Sequence, residues 1–354
     1  MADVTVVIDG EAYAGWTKVE IRRSIDQIAD GFGVTLVSRF SSVGGPPALD
    51  EWSPVQLVVD GEVVVDGYVT SVSDGYNADS VWVSVSGASK TIDLVHCSVP
   101  ATKRWRDRDL VQIVSDVTSP HGIDVYCDET PAKVARFASK PGETAFELID
   151  RLIREHGMRA VALGGDLGLT RTGIKVAKVP LVTGQTIIDG SRERGAEDRF
   201  SDYIFKAQIA GNDKAYGEAA TNPKAEVTDA GVPRFRPLLV RTDAPRGTAG
   251  LKSRAEWERN TRAGKSHRLT YRVHAGLGDL STCWYAGPEL WAPNMLVAVR
   301  DDIIGVDAKL LVTDVVMTMD AETGHGCELT LVHPDAYIPE RPPKKKARKS
   351  SLPF

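Results

Sequence analysis

Two distant stretches of this chain follow one plan, and that internal repeat limits the fold more than any other feature. The first reads Ser53-Pro54-Val55-Gln56-Leu57-Val58-Val59 and the second Ala292-Pro293-Asn294-Met295-Leu296-Val297-Ala298-Val299. After a short turn they reach Val69-Thr70-Ser71-Val72 and Val312-Thr313-Asp314-Val315. Each then crosses an acidic turn and closes on an alternating run, Val81, Val83 and Val85 in one and Cys327, Leu329 and Leu331 in the other. Pro-x-x-Leu-Val and Val-Thr-x-Val are common β vocabulary, and chance is the competing reading; the preserved order of several elements argues for duplication. Three chains carrying two such modules each would present six similar units in a ring.

The modules read as antiparallel β. Leu57-Val58-Val59-Asp60-Gly61-Glu62-Val63-Val64-Val65 is a hairpin around Asp-Gly, and Asp9-Gly10 and Asp74-Gly75 are expected to repeat the device. Between the modules the period changes. Leu110, Ile113, Val114 and Val117 fall at helical spacing before Pro120, and Ala145, Leu148, Ile149, Leu152 and Ile153 form a second stripe before Gly157. Each helix leads into a strand-like run. The stretch from Gly211 to Gly250 is rich in Gly, Pro, Asn and Asp and is expected to be loop, followed by a charged helix over Thr248 to Ala263.

The expected fold is therefore α+β and mainly β: two duplicated tube-like antiparallel β-barrel domains, an α/β insertion domain and a smaller loop-rich insertion. The boundaries are 1–98 for the first barrel, 99–182 for the α/β insertion and 183–338 for the second barrel, with the loop-rich and helical insertion at about 211–264 and a basic tail over 339–354. A chain of 354 residues, 42% apolar and 26% charged, has the material for several cores.

The formal charge of −5 recruits neither nucleic acid nor an acidic membrane. No apolar run approaches the length of a membrane span, and the N-terminus lacks the pattern of a signal peptide, so synthesis in a cytoplasm is expected. Cys97, Cys127, Cys283 and Cys327 are too scattered for a zinc knuckle or disulfide framework and are expected as buried free thiols.

No catalytic, cofactor or metal site is expected. Glu143 and Glu147, Asp107 and Asp109, and Asp301 and Asp302 are the carboxylate pairs a hydrolase would need, each better placed for helix starts, turns or solvated faces. His267 and His274 lack a third ligand. Gly164-Gly165-Asp166-Leu167-Gly168 reads as a tight hairpin and not a phosphate loop, and His96 beside Cys97 makes no nucleophile pair. Arg341, Lys344, Lys345, Lys346, Arg348 and Lys349 form the one strong charge run, read as a solvated tail, a tether to an acidic partner, or a nucleic-acid contact. Trp16, Trp52, Trp82, Trp105 and Trp291 are candidate subunit or partner contacts, with a place in their own core as the alternative.

The whole-chain pattern resembles the baseplate hub proteins of phage Mu and its relatives, within the contractile-tail hub family that includes late-control tail proteins and type VI secretion spike hubs. The carriers are Gly15-Trp16-Thr17 with Arg23-Ser24-Ile25-Asp26, Asp66-Gly67-Tyr68-Val69, Ala78-Asp79-Ser80, and Val85-Ser86-Gly87-Ala88-Ser89-Lys90-Thr91-Ile92-Asp93-Leu94. Trp105-Arg106-Asp107-Arg108-Asp109-Leu110, Asp198-Arg199-Phe200-Ser201-Asp202-Tyr203, Arg234-Phe235-Arg236-Pro237 and Leu290 to Val297 continue the series.

The resemblance implies a structural virion protein and not an enzyme: a homotrimeric ring at the centre of the tail baseplate, assembled in the host cytoplasm. It implies a tail tube protein on one face, a spike on the other, and wedge and tape-measure proteins nearby, with DNA only in passage through the channel and no membrane insertion. With no room left after the second module for a needle, the spike is expected to be a separate polypeptide. Some tail hubs carry or accompany cell-wall hydrolases, so the alternative is a tail module using 101–180 to bind or cut peptidoglycan.

Overall fold

Asp60-Gly61 and Asp9-Gly10 turn the chain through left-handed backbone, with φ of 49° and 87° in the first pair and 50° and 83° in the second. Such angles match the twist of a two-residue hairpin and are least strained for Asp, Asn and Gly. Around them the strands β1 (Val4–Ile8), β2 (Glu11–Tyr13), β5 (Pro54–Val59) and β6 (Glu62–Tyr76) form, joined by β3 (Lys18–Ser24), β4 (Gly31–Arg39) and β7 (Ser80–Ser89). The molecule, a computed structural model, describes residues 3–340 apart from 14, 40–49, 132, 208–221, 243–247 and 275–282.

Asp74-Gly75 departs from its expected role: it lies inside β6, paired with Val83 and Trp82 of β7. The turn comes later, where Asn77 Oδ1 accepts the N–H groups of Asp79 and Ser80 at 2.9 Å each. An Asn side chain that caps its own turn removes the need for glycine there. Gly75 serves Trp82 instead, whose indole lies so close that a Cβ would come within 2.7 Å of it.

The second β region contains β13 (Lys175–Val176), β14 (Leu181–Val182), β15 (Ile187–Arg194), β19 (His267–Val273), β20 (Met295–Asp301), β21 (Val306–Asp320) and β22 (Gly324–Val332). Both regions share a sheet of 14 strands among the described residues, whose main path runs β15-β19-β22-β21-β3-β4-β7-β6-β5-β1-β2 with β20 also on β21. Five strands in the first half, β3-β4-β7-β6-β5, and five in the second, β15-β19-β22-β21-β20, therefore have one order, antiparallel throughout.

The two halves agree in fine structure. Both long strands carry a β-bulge at the threonine of the repeated Val-Thr, between Val69 and Ser71 in β6 and between Val312 and Asp314 in β21. The preceding valine carbonyl accepts the N–H of a left-handed residue in each, Trp52 (φ 76°) onto Val69 at 2.8 Å and Asn294 (φ 71°) onto Val312 at 2.9 Å. The repeat is thus real in strand order but not in the alignment suggested by Pro-x-x-Leu-Val. Strand pairing sets Val55 against Gly67 and Val297 against Leu310, so Val55 corresponds to Val297, and Trp52 to Asn294. Val/Leu runs look alike at several offsets, and only the cross-strand partners choose one.

The α/β insertion packs β8 (Arg104–Arg108) with β10 (Val134–Ala138), and β9 (Val125–Cys127) with β11 (Arg159–Leu163) and β12 (Asp166–Thr170), around α2 (Leu110–Thr118) and α3 (Ala145–Glu155), after the short α1 (Ile92–His96). Both apolar stripes read from sequence are buried, Leu110, Ile113 and Val114 on α2 and Leu148, Ile149, Leu152 and Ile153 on α3. Each such side chain contributes about 1.5–3 kcal/mol relative to exposure. Thr144 and Glu147 form a capping box at the start of α3, and Gly157 follows its end with φ 68°.

A third small core differs from the loop expected at 211–250. β16 (Asp202–Ala207) is flanked by β17 (Lys224–Thr228) and β18 (Pro237–Thr242), and α4 (Thr248–Lys265) covers them through Leu251 and Ala255. In β17, Ala225 and Val227 are buried while Lys224, Glu226 and Thr228 are exposed, an alternation too short to stand out among its Gly and Pro neighbours.

Candidate functional site

The candidate site lies where the two β units join. β21 of the second unit pairs antiparallel with β3 of the first over Asp314 to Asp320, with Met317 opposite Ile21 and Asp320 opposite Lys18. Both apolar partners are fully buried. Around them Ser24 Oγ donates to Asp314 Oδ1 at 2.7 Å, and Lys18 pairs with Asp320 at 3.4 Å. Below the seam Arg23 Nε donates to Asp30 Oδ2 at 3.0 Å, and both side chains are nearly withdrawn from solvent. Burial pushes the Asp30 carboxyl above the ordinary carboxylate range, and the Arg23 charge and hydrogen bond pull only part of that back.

The insertion is fastened to the same seam. Arg159 of β11 donates to the carbonyls of Ile25 and Tyr337 at 3.2 Å each and lies over the Tyr337 ring at 5.0 Å, while Tyr337 Oη donates to Asp26 at 2.5 Å. At its other end the Gly164-Gly165 turn joins β11 to β12 as a hairpin and rests on β6, where Asp66 N–H donates to the Gly164 carbonyl. Lys90 sits between Asp66 (3.0 Å) and Asp166 (3.8 Å), securing the contact electrostatically.

Of the six candidate carboxylates, Glu143, Glu147 and Asp301 have structural partners. Glu143 pairs with Arg151 at 2.8 Å, and Glu147 belongs to the capping box. Asp107 is exposed in a left-handed conformation (φ 49°), and Asp109 is the N-cap residue of α2. Asp301 accepts from Tyr271 Oη, Thr183 Oγ1 and the N–H groups of Ile303 and Ile304, all at 3.0 Å, while Asp302 is exposed. Burial alone would raise the Asp301 carboxyl, but the donors outweigh it and hold it below the ordinary range. His267 and His274 bracket β19, too far apart along the chain to share a ligand, and no cluster of three metal-ligating side chains occurs among the described residues. All four cysteines are free; Cys283 and Cys327 are buried, whereas Cys97 is exposed and Cys127 half-buried, because each lies at an element end with solvent on one side.

The aromatic candidates separate. Trp16 and Trp291 are buried within the main β core and Trp105 within the insertion core, so their apolar surface is already covered. Trp52 is 79% exposed beside the first bulge, and Trp82 is half-buried across Gly75. The basic residues Arg341, Lys344, Lys345, Lys346, Arg348 and Lys349 lie outside the described residues.

Sequence reasoning missed two strand edges that have no partner among the described residues. Over Ser71 to Tyr76, β6 has β7 on one side and no strand on the other among the described residues, because β5 stops pairing at Tyr68. β15 likewise has β19 on one side and ends the sheet path. The missed signal was the composition of Ser71-Val72-Ser73-Asp74-Gly75, a polar run inside a long strand. No helix of the described residues is long and apolar enough to cross a membrane.

Three family models fall in order along the chain. Residues 3–89 match the N-terminal domain of Mu phage baseplate assembly protein GpP-like, 91–171 the second domain of baseplate hub protein gp44-like, and 247–340 the fourth domain of Mu phage baseplate assembly protein GpP. The chain is similar to the baseplate hub protein gp44 of Escherichia phage Mu, 27% identical over 362 residues that span 98% of this chain and 92% of that one. Its structure is similar to the 43 kDa tail protein of prophage MuSo2 from Shewanella oneidensis, with a TM-score of 0.80 at 29% identity over 95% of this chain and 99% of that one. It shares a fold with the tail protein from Neisseria meningitidis MC58, with a TM-score of 0.75 at 21% identity over 96% and 98% of the two chains. With the three models in sequence order and full-length likeness to a phage Mu protein, the chain belongs to the Mu-like phage baseplate hub family.

Proposed function

We propose that three copies of this chain form the hub ring of a contractile phage-tail baseplate, adapting a six-fold tail tube on one face to a three-fold spike on the other. The observation that carries this reading is the shared order of β3-β4-β7-β6-β5 and β15-β19-β22-β21-β20 within one chain. A heterologous contact closes a ring when each step turns by an equal share of a full circle, and three chains with two equivalent units supply six such steps. In this reading 1–98 and 183–338 are the tube-like barrel domains facing the tube protein, the second joined by β13 and β14 on β20, and the rest of 99–182 lies at the periphery towards wedge proteins.

The hub acts by shape and contact, without catalysis. The ion pair of Glu143 and the capping box of Glu147 engage two of the insertion's four candidate carboxylates in its own architecture, which favours this reading over a peptidoglycan-cutting module. Trp52 and Trp82 are partner-contact aromatics, and the six basic residues of the tail tether an acidic neighbour in the virion. Light scattering of the purified chain, followed by averaged electron images, tests the proposal. A trimeric ring with six similar lobes is the expected result, and a chain that stays monomeric at every concentration refutes it. Clearing of a peptidoglycan layer in a zymogram would refute the non-enzymatic part.

A further inference from the structure

The internal seam provides a template for a contact that the described residues of one chain leave unmade. In the second unit, the edge of β21 beyond its bulge is filled by β3; in the first unit, the same edge of β6 has no strand beside it among the described residues. β3 has partners on both sides, whereas its counterpart β15 has β19 alone among the described strands. We propose that β6 of one copy pairs antiparallel with β15 of the next, in the register that β21 and β3 use within the chain. This inference rests on the ring reading and specifies how its copies join.

The register follows from matched pairs. Ser71 and Asp314 follow the two bulges and face Ser86 and Thr330, which in turn face Gly33 and Thr270. Gly33 and Thr270 face Glu20 and Ser191, so β15 corresponds to β3 residue by residue. Since Thr318 faces Glu20 and Met317 faces Ile21, Gly75 must face Ser191 of the next copy and Asp74 must face Arg192. Ser73 then faces Glu193, and Tyr76 faces Gly190.

The side chains at these positions suit that pairing and no simpler one. Asp74 is exposed, Arg192 half-buried, and neither has an ion-pair partner among the described residues. Where the intrachain seam has the apolar pair Met317 and Ile21, the seam between copies has opposite charges. Pairing of β6 with another β6 that sets Asp74 against Asp74, or of β15 with another β15 that sets Arg192 against Arg192, brings like charges together and is disfavoured. Tyr76, 80% exposed, gains a glycine opposite it, a position where an aromatic ring covers the missing side chain. The contact is head-to-tail, so the units alternate around the ring.

Cross-linking in the full-length chain tests the register, in a Cys97→Ser background to remove the exposed thiol. Facing residues of antiparallel strands lie about 4.5–5.5 Å apart at Cα, within disulfide range. Ser73→Cys with Glu193→Cys is expected to give a covalent trimer on oxidation, and Ser73→Cys with Asp189→Cys, displaced by four residues, is not. Separately, Asp74→Arg is expected to raise the protein concentration at half-assembly about tenfold or more, with recovery on adding Arg192→Asp. A trimer that forms without the Ser73–Glu193 link, or charge reversals that do not rescue each other, overturns the register while leaving the ring standing. A chain that stays monomeric overturns both.

Discussion

Removing Arg23 isolates a buried carboxylate at the junction of the two β units. Asp30 is 2% exposed at its side chain and takes its charge compensation from Arg23 at 3.0 Å. Its own N–H donates to Ser89 Oγ, within a chain of hydroxyls that runs through Thr91 to the Ile28 carbonyl. Breaking a buried ion pair by deleting one partner costs about 3–5 kcal/mol, so Arg23→Ala should lower the folded-to-unfolded ratio by roughly two to four orders of magnitude near neutral pH. Burial already holds the Asp30 carboxyl above its ordinary range, and loss of the guanidinium raises it further. An acid that protonates more readily folded than unfolded gives stability present below its unfolded pKa and lost as pH rises through its folded one. The defect should therefore shrink in acid and reach full size towards neutrality. The replacement Arg23→Met with Asp30→Leu, which removes both charges, should recover most of the loss. Denaturant unfolding across pH 4–8 reads all three variants. A deficit independent of pH, or a double variant no better than Arg23→Ala, refutes the reasoning.

Three further outcomes follow from individual contacts. Asp301→Ala strands the buried Tyr271 hydroxyl and the Ile303–Ile304 turn, costing about 2–4 kcal/mol in thermal unfolding. Because Asp301 is held below its ordinary range, that contribution is present above the unfolded pKa and lost as pH falls through the native one; an unchanged melting temperature at pH 7 argues against the role. Gly264→Ala places a Cβ 2.7 Å from the Ala336 backbone nitrogen, so α4 must shift at a cost of about 1–3 kcal/mol, and a circular-dichroism melt equal to wild type contradicts the close approach. In thiol titration Cys97 should react first, while Cys283, whose thiol burial pushes up to about 11, and Cys327 should appear only on unfolding; four fast thiols in the native protein contradict their burial.

Features set by neighbouring residues were legible in the chain alone. The Asp60-Gly61 turn, the two insertion helices and their apolar faces, the alternation of β7 and the glycine after α3 all depend on preferences that act over a few residues. The duplication was legible too, as an order of elements. What needed the tertiary structure was pairing across long sequence distances. Asp74-Gly75 is strand because β7 lies beside it and Asn77 makes the turn; Trp16 and Trp291 are core because residues distant in the chain pack around them, while Trp52 is not. The match of Trp52 with Asn294 came from hydrogen bonds to Val69 and Val312, since a run of valines fits several registers equally well until a partner strand selects one. The edges of β6 and β15, unpaired among the described residues, belong to the same class: a polar run such as Ser71 to Gly75 hints at an edge, but the strand absent beside it is decided by the tertiary structure.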